Sequence, residues 1–314
     1  MISEPIGIVQ LEEKNCCLQC ELMPKMLAFN YKGLICPVFT PFTSDKKQVD
    51  YDVIDKYCHF LKTKGIGCVF VDCDVGELSC LCFDERKRLC EEWFKCCRKH
   101  GLLIIYTVGG CCITESYQLC ELADRLGVDC VCVLPDLFYK AYTEEDLCDY
   151  LKDICKYCPS RPVCYYHIPK RTHVRLNMDR FCDMVEKCCN NFSGILWRDT
   201  DIERATCLLR DGRKVIVCCD TTICSWMTLG FDTLVCVTLN IVPDIVKEIH
   251  DCMCRDKITE ARDYQWKLIR RCKEICVNEA CDWIENMKRE FNKVHTTFNV
   301  GGLRKPICTF YTKY

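Results

Sequence analysis

From residue 33 onward, short unbroken runs of apolar residues alternate with longer stretches in which apolar positions recur every three or four residues. The unbroken runs are GLICPVF (33–39), GCVFVDC (67–73), LLIIYTV (102–108), DCVCVLP (129–135), VCYYHI (163–168), GILWR (194–198), KVIVC (214–218) and TLVCV (233–237). Their brevity and lack of polar alternation predict strands covered on both faces, as in a parallel sheet. The periodic stretches lie near 51–64, 83–100, 114–126, 143–158, 178–189, 200–210, 220–229 and 241–254, and predict one helix after each strand. Eight such units fit an α/β fold of the closed (β/α)8 type, a TIM barrel, better than an open doubly wound sheet. On this reading residues 32–254 form the barrel. Residues 1–31 show no clear period and form an N-terminal extension of unknown order, while 255–314 form a C-terminal helical extension and tail.

A barrel of this kind carries its chemistry at the C-terminal ends of its strands. Those ends are Thr40-Pro41, the run from Asp72 to Glu77, Tyr166-His167-Ile168-Pro169, and Arg198-Asp199. Side chains alternate along a strand, so Leu196 and Arg198 point the same way. If Leu196 faces the barrel interior, Arg198 faces the mouth. No Gly-rich dinucleotide loop follows the first strand and no GxxxxGK[ST] occurs, so nothing favours a nucleotide ligand.

Composition narrows the function classes. The 314 residues are 49% hydrophobic, with a net charge of -2 and a pI near 6.3, so there is no electrostatic footprint for nucleic acid or an anionic membrane. The opening MISEPIGIVQLEEKN has neither a basic start nor an apolar run of signal-peptide length. No segment approaches the roughly 20 apolar residues that span a bilayer. A soluble, cytoplasmic protein with no nucleic-acid or membrane partner is the expectation. The 35 cysteines are unusual, but many sit where a helix buries its apolar face. Cys58 falls in register with Ile54, Tyr57 and Leu61; Cys155 and Cys158 with Leu147, Leu151 and Ile154; Cys272 and Cys276 with Ile269, Ala280 and Trp283. They read as small apolar core thiols rather than disulfide partners. The two CxxC spacings, Cys17–Cys20 and Cys155–Cys158, do not combine into a four-ligand zinc site, and no metal is expected.

The strand ends bear a pattern: FTPFT at 39–43, VGE at 75–77 followed by ERKRLCEEW at 85–93, VGG at 108–110, YYHIP at 165–169 and DTD at 199–201. In this order and spacing they resemble the N-acetylneuraminate lyase and dihydrodipicolinate synthase family of pyruvate-dependent (β/α)8 lyases, its animal lyases most closely, over roughly residues 32–306. The resemblance implies a homotetramer, no cofactor, a small carboxylate or sugar acid as ligand, and a role in carbohydrate metabolism. It also implies class I carbon–carbon lyase chemistry, in which a lysine at the end of strand six forms a Schiff base with a ketone. Lyases of the family read Gly-Leu-Lys-Phe-Ser-Asp-Thr-Asp there. Laid on Gly194 to Asp201, the lysine position is Leu196, which has no nitrogen and cannot form an imine.

Strand two departs as well. The family pattern Gly-Thr-Thr-Gly-Glu, which holds the substrate carboxylate, becomes Cys73-Asp74-Val75-Gly76-Glu77. A bare Asp74 carboxylate would repel an anion by roughly 4 kcal/mol at ~4 Å and an effective dielectric near ~20. Family glycines of strands seven and eight become Cys218, Thr233 and Cys236. Tyr166 stands at the family's proton-shuttling tyrosine, though without the lysine a core tyrosine hydrogen-bonded near the barrel top is the favoured reading, and Arg171 falls near the carboxyl-binding entrance, where it reads equally as a solvated loop arginine. Arg198 replaces a small polar residue, and two readings stand: it pairs with Asp74 across the mouth, or it is free to grip a carboxylate or phosphate. The resulting expectation is a catalytically degenerate pseudoenzyme, a non-catalytic binding or structural protein. The alternatives are an active N-acetylneuraminate lyase, cleaving sialic acid to N-acetylmannosamine and pyruvate with another lysine, and a non-imine reaction using Tyr166, Arg198 and Asp74. Lys170 reaches the mouth only if its loop folds inward, and Lys214 lies at the wrong end of the barrel.

Overall fold

The computed structural model describes residues 27–110, 112–210, 212–276 and 283–306. Most of the N-terminal extension, with Cys17–Cys20, and also Ala280 and the tail beyond 306 lie outside them. Eight strands occur where the apolar runs predict them: β1 (Gly33–Pro37), β2 (Cys68–Val71), β3 (Leu103–Gly109), β4 (Cys130–Leu134), β5 (Val163–His167), β6 (Phe192–Trp197), β7 (Lys214–Cys218) and β8 (Thr233–Val235). Each pairs in parallel with its sequence neighbours, and β1 closes on β8 through Leu34 opposite Leu234. The sheet is thus a closed eight-stranded barrel with no exposed edge.

The helices are α1 (Val53–Thr63), α2 (Phe83–His100), α3 (Ile113–Leu126), α4 (Glu144–Cys155), α5 (Pro169–Thr172), α6 (Met178–Cys188), α7 (Ile202–Cys207), α8 (Ile223–Thr228), α9 (Pro243–Cys254), α10 (Ile258–Ile275) and α11 (Trp283–Val294). Most lay their apolar faces on the barrel, while α10 packs against α8, α9 and α11. In α4 that face is Leu147, Leu151, Ile154 and Cys155, the stripe read from the sequence. The cysteines behave as small core residues: Cys58, Cys68, Cys132 and Cys164 are fully buried, and every cysteine among the described residues is a free thiol. Among the described residues no helix is long and apolar enough to cross a membrane.

Two local features shape the mouth. In β6 the pairing with β5 skips a residue, running Val163 opposite Phe192 and then Cys164 opposite Gly194. The bulge shifts the in–out phase of everything that follows. Gly194 makes it possible: its φ is +153°, and a Cβ there would lie 1.8 Å from the Lys214 carbonyl oxygen. The second feature is α5, which the apolar pattern does not predict. Pro169 starts this single turn of helix, and Arg171 and Thr172 both return their amides to the Ile168 carbonyl at 3.0 Å.

Candidate functional site

Beyond the bulge, Tyr166 stands opposite Leu196 and His167 opposite Trp197 in the β5–β6 ladder. Alternation then divides the strand ends between two sides of the barrel wall. Tyr166 and Arg198 face the cavity at the mouth, whereas His167 and Trp197 face outward beneath the helices. Leu196 is fully buried and is not part of the cavity lining.

Asp74, Tyr166 and Arg198 come together over the cavity. Arg198 Nη1 makes a short ion pair with Asp74 Oδ2, the Tyr166 hydroxyl donates to Asp74 Oδ1 at 2.7 Å, and Arg198 Nη1 reaches that hydroxyl at 3.4 Å. The Asp74 side chain is 13% exposed and that of Arg198 26%. Of the two readings of Arg198, the pair is therefore the one the structure contains. Burial works against the charge on Arg198, but Asp74 and then Tyr166 outweigh it and hold the guanidinium well above its usual range. Burial, followed by the Asp74 carboxylate, pushes the Tyr166 phenol well above its own. Tyr166 thus keeps its proton near neutrality and donates it in the hydrogen bond to Asp74. The Asp74 carboxylate is not bare, so Arg198 offsets most of the repulsion expected towards an anion. What remains against a carboxylate ligand is the loss of hydroxyl donors at positions 74 and 75, where Val75, buried at 1% exposure, presents only methyl groups.

The loop that carries Asp74 holds two more acids, and each is tied to a cation from a different element. Asp72 accepts from Arg86 Nε of α2 at 2.6 Å, and Arg86 also donates to the Thr107 and Gly109 carbonyls. Glu77 accepts from Lys288 Nζ of α11 at 2.7 Å and from the Arg304 amide at 2.8 Å, while Lys288 also donates to the Thr40 carbonyl at 2.9 Å. Asp72 and Glu77 both adopt left-handed backbone conformations, φ 58° and 62°, which a β2 loop this tightly tethered can sustain.

The cavity itself measures about 440 Å³. Asp74, Val75, Tyr166 and Arg198 line it, together with Lys170 and two residues not expected there from the apolar pattern, Asp220 and Trp283. The expectation that Lys170 needs an inward fold is met by α5, which turns it to the cavity's edge, where it stays exposed. Arg171, next along that turn, is exposed and is not part of the lining. Asp220 follows β7, where a barrel keeps its site residues; Thr238 donates to its Oδ1 through both amide and hydroxyl, at 2.8 and 2.7 Å. Burial outweighs those bonds and raises its carboxyl above the usual range. Trp283 arrives from α11, and no local pattern could have announced it. The cavity is neither filled by side chains, as a purely structural barrel would have it, nor floored by an amine, as an imine-forming lyase would.

Comparison with known proteins bears on the same surfaces. The dihydrodipicolinate synthetase family profile matches residues 30–312. The N-acetylneuraminate lyase of Rattus norvegicus is 25% identical over 244 residues, covering 76% of this chain and 76% of that protein. That of Gallus gallus is 28% identical over 242 residues, covering 75% and 78%. Among solved structures, the Proteus mirabilis N-acetylneuraminate lyase shares the fold with a TM-score of 0.82 at 23% identity, over 90% of this chain and 94% of that one.

Proposed function

The chain belongs to the dihydrodipicolinate synthetase family, and within it we propose a lyase-like barrel that no longer forms a Schiff base and uses its cavity to bind a small carboxylate or sugar acid. The observation that carries this reading is the end of β6. Leu196 is buried where the family resemblance puts the imine-forming lysine, and the next inward position, Arg198, is committed to Asp74. An imine needs a free amine beside the ketone carbon, and a guanidinium held above its usual range cannot serve as one. The retained cavity favours a binding role over a purely structural one. The exposed Lys170 supplies the charge for a carboxylate, and Trp283 supplies a flat apolar wall.

One observation favours a second reading. Lys170 is the one lysine on the cavity lining among the described residues, and attack of its amine on a bound ketone with loss of water would leave an imine. Borohydride trapping with excess pyruvate, followed by intact mass and peptide mapping, separates the two. The expected result is no adduct, with a trapped family lyase as the positive control, alongside saturable binding of pyruvate or N-acetylneuraminate in a thermal-shift titration. A single adduct on Lys170, abolished by Lys170→Ala, would overturn the first reading and establish the second.

A further inference from the structure

Four thiols meet at the surface where α4 and α6 pack together: Cys148 and Cys155 of α4, Cys188 at the end of α6 and Cys189 just after it. The Cys188 sulfur lies 3.7 Å from that of Cys148 and 3.7 Å from that of Cys189, and Cys155 completes the chain through its hydrogen bond to Cys189. Cys188 is exposed, whereas the other three are buried. Contact between sulfurs does not in itself make a site. Cys130 and Cys164 lie 3.6 Å apart, but both are fully buried on neighbouring strands of the barrel, out of reach of solvent. The α4–α6 cluster differs in having one member in solvent, a partner in contact behind it and a third thiol in contact beside it.

The third thiol supplies what thiol chemistry needs, since the thiolate and not the thiol is the nucleophile. Hydrogen bonds from Cys155 and then Cys188, helped by the Lys152 and Lys156 charges, outweigh burial and bring Cys189 down to about 7. Burial and then the Cys189 charge push Cys188 up. The cluster therefore holds a thiolate on Cys189, in contact with the exposed thiol. We propose that Cys188 and Cys148 form a reversible oxidation site, in which hydrogen peroxide converts the two thiols to a disulfide tying α4 to α6, with Cys189 as the base. As the Cys188 sulfur attacks one peroxide oxygen, its proton passes to Cys189, the O–O bond breaks and hydroxide leaves; Cys188 is then a sulfenic acid. The Cys148 sulfur attacks that of Cys188, the S–S bond forms, the S–O bond breaks, and the departing hydroxide takes the Cys148 proton as water. The first hydroxide recovers the proton from Cys189, so two thiols lose two electrons and one peroxide becomes two waters. The sulfurs need close only from 3.7 Å to the roughly 2.05 Å of a disulfide, and Cys188 ends its helix, where helices fray. The bond would close the segment 148–188, which carries Tyr166 and Lys170 of the central cavity. Nothing in this chemistry depends on what that cavity binds.

The reduced full chain, freed of reductant, is exposed to an equimolar amount of hydrogen peroxide; the remaining thiols are blocked with N-ethylmaleimide in denaturant, and tryptic peptides are mapped without reductant. Cleavage after Lys140, Lys152, Lys187 and Arg198 leaves Cys148 as the only cysteine of 141–152 and places Cys188 with Cys189 in 188–198. These two peptides are expected to appear joined and to part on treatment with dithiothreitol, while those bearing Cys130 and Cys164 stay unlinked. Cys188→Ser, at an exposed position that puts folding at no risk, is expected to abolish the link, and Cys189→Ser to keep it but slow its formation at least about tenfold. Two separate, blocked peptides after peroxide treatment overturn the proposal, as does a bond confined to 188–198. A link that survives Cys188→Ser, equal linking of Cys130 with Cys164, or an unslowed Cys189→Ser variant overturns it as well.

Discussion

Replacing Asp74 by alanine removes one acceptor from two donors, Arg198 and Tyr166. The guanidinium would remain over the cavity with a quarter of its side chain exposed, so water would recover part of its hydration. Removing one partner of a fully buried pair costs about 3–5 kcal/mol, and this exposure brings the expected loss for Asp74→Ala to about 2–3 kcal/mol. Arg198→Ala should cost less, about 1–2 kcal/mol, because Asp74 keeps the Tyr166 hydroxyl as a donor. The double variant strands neither charge and leaves only Tyr166 without its acceptor, for about 1–2 kcal/mol. The double variant is thus expected to be more stable than Asp74→Ala alone, with a coupling energy of about 2 kcal/mol. Urea unfolding followed by circular dichroism measures this, provided the slope with denaturant is the same in all four proteins. Repeating the cycle in about 1 M salt adds a check, since a solvent-exposed pair would lose its coupling to screening and this one should keep most of it. Losses that add to within about 0.5 kcal/mol would refute the pairing as an energetic unit.

Three further outcomes can be checked. His167 binds its proton more weakly folded than unfolded, so between about pH 4 and 6.5 the unfolded chain holds more protons and stability rises with pH. That contribution, about 3 kcal/mol, is complete above pH ~6.5 and lost as the pH falls through ~4; His167→Gln should flatten this part of a stability–pH curve. Lys288→Met leaves Glu77 buried with the Arg304 amide but no counter-charge, and should cost about 3–5 kcal/mol while speeding hydrogen exchange in both α11 and the β2 loop. Leu196→Lys alone should give no borohydride-trapped pyruvate, because Arg198 and Asp74 still occupy the mouth. Combining it with Asp74→Thr, Val75→Thr and Arg198→Ser, which restores the family pattern, should give an adduct at position 196.

The barrel was legible because a strand covered on both faces leaves an unbroken apolar run, and all eight runs are strands. The pairing of Asp74 with Arg198 was legible for a different reason: two charges of opposite sign had each entered a cavity that could not hold either alone. Legibility failed where geometry depends on single residues. The α5 turn is too short to show a period, so its effect on Lys170 was hidden. The helix predicted over 200–210 covers only Ile202–Cys207, because the Asp201 side chain caps its start at the Arg204 amide and the helical hydrogen bonding stops at Leu208. Trp283 reaches the cavity from the far end of the chain, a matter of docking that no local pattern encodes. His167 and Trp197 look like ordinary core aromatics in sequence, and only their ring nitrogens, without a hydrogen-bond partner among the described residues, set them apart.

The three tethers of the β2 loop have a consequence for the order in which the molecule can be assembled. They close chain segments of very different span: 14 residues from Asp72 to Arg86, 124 from Asp74 to Arg198 and 211 from Glu77 to Lys288. Closure entropy grows only slowly with span, by about 0.6 kcal/mol for each doubling, so each long tether costs about 2 kcal/mol more to close than the short one. During synthesis, though, span is time. The first tether can form once two strands and a helix have left the ribosome, the second only after β6, and the third only when nearly the whole chain is out. Until then Glu77 is an unbalanced acid at the barrel's mouth. The central cavity is consequently the last part of the molecule to acquire its shape, and a chain stopped short of residue 288 would carry every barrel strand and still lack a finished site.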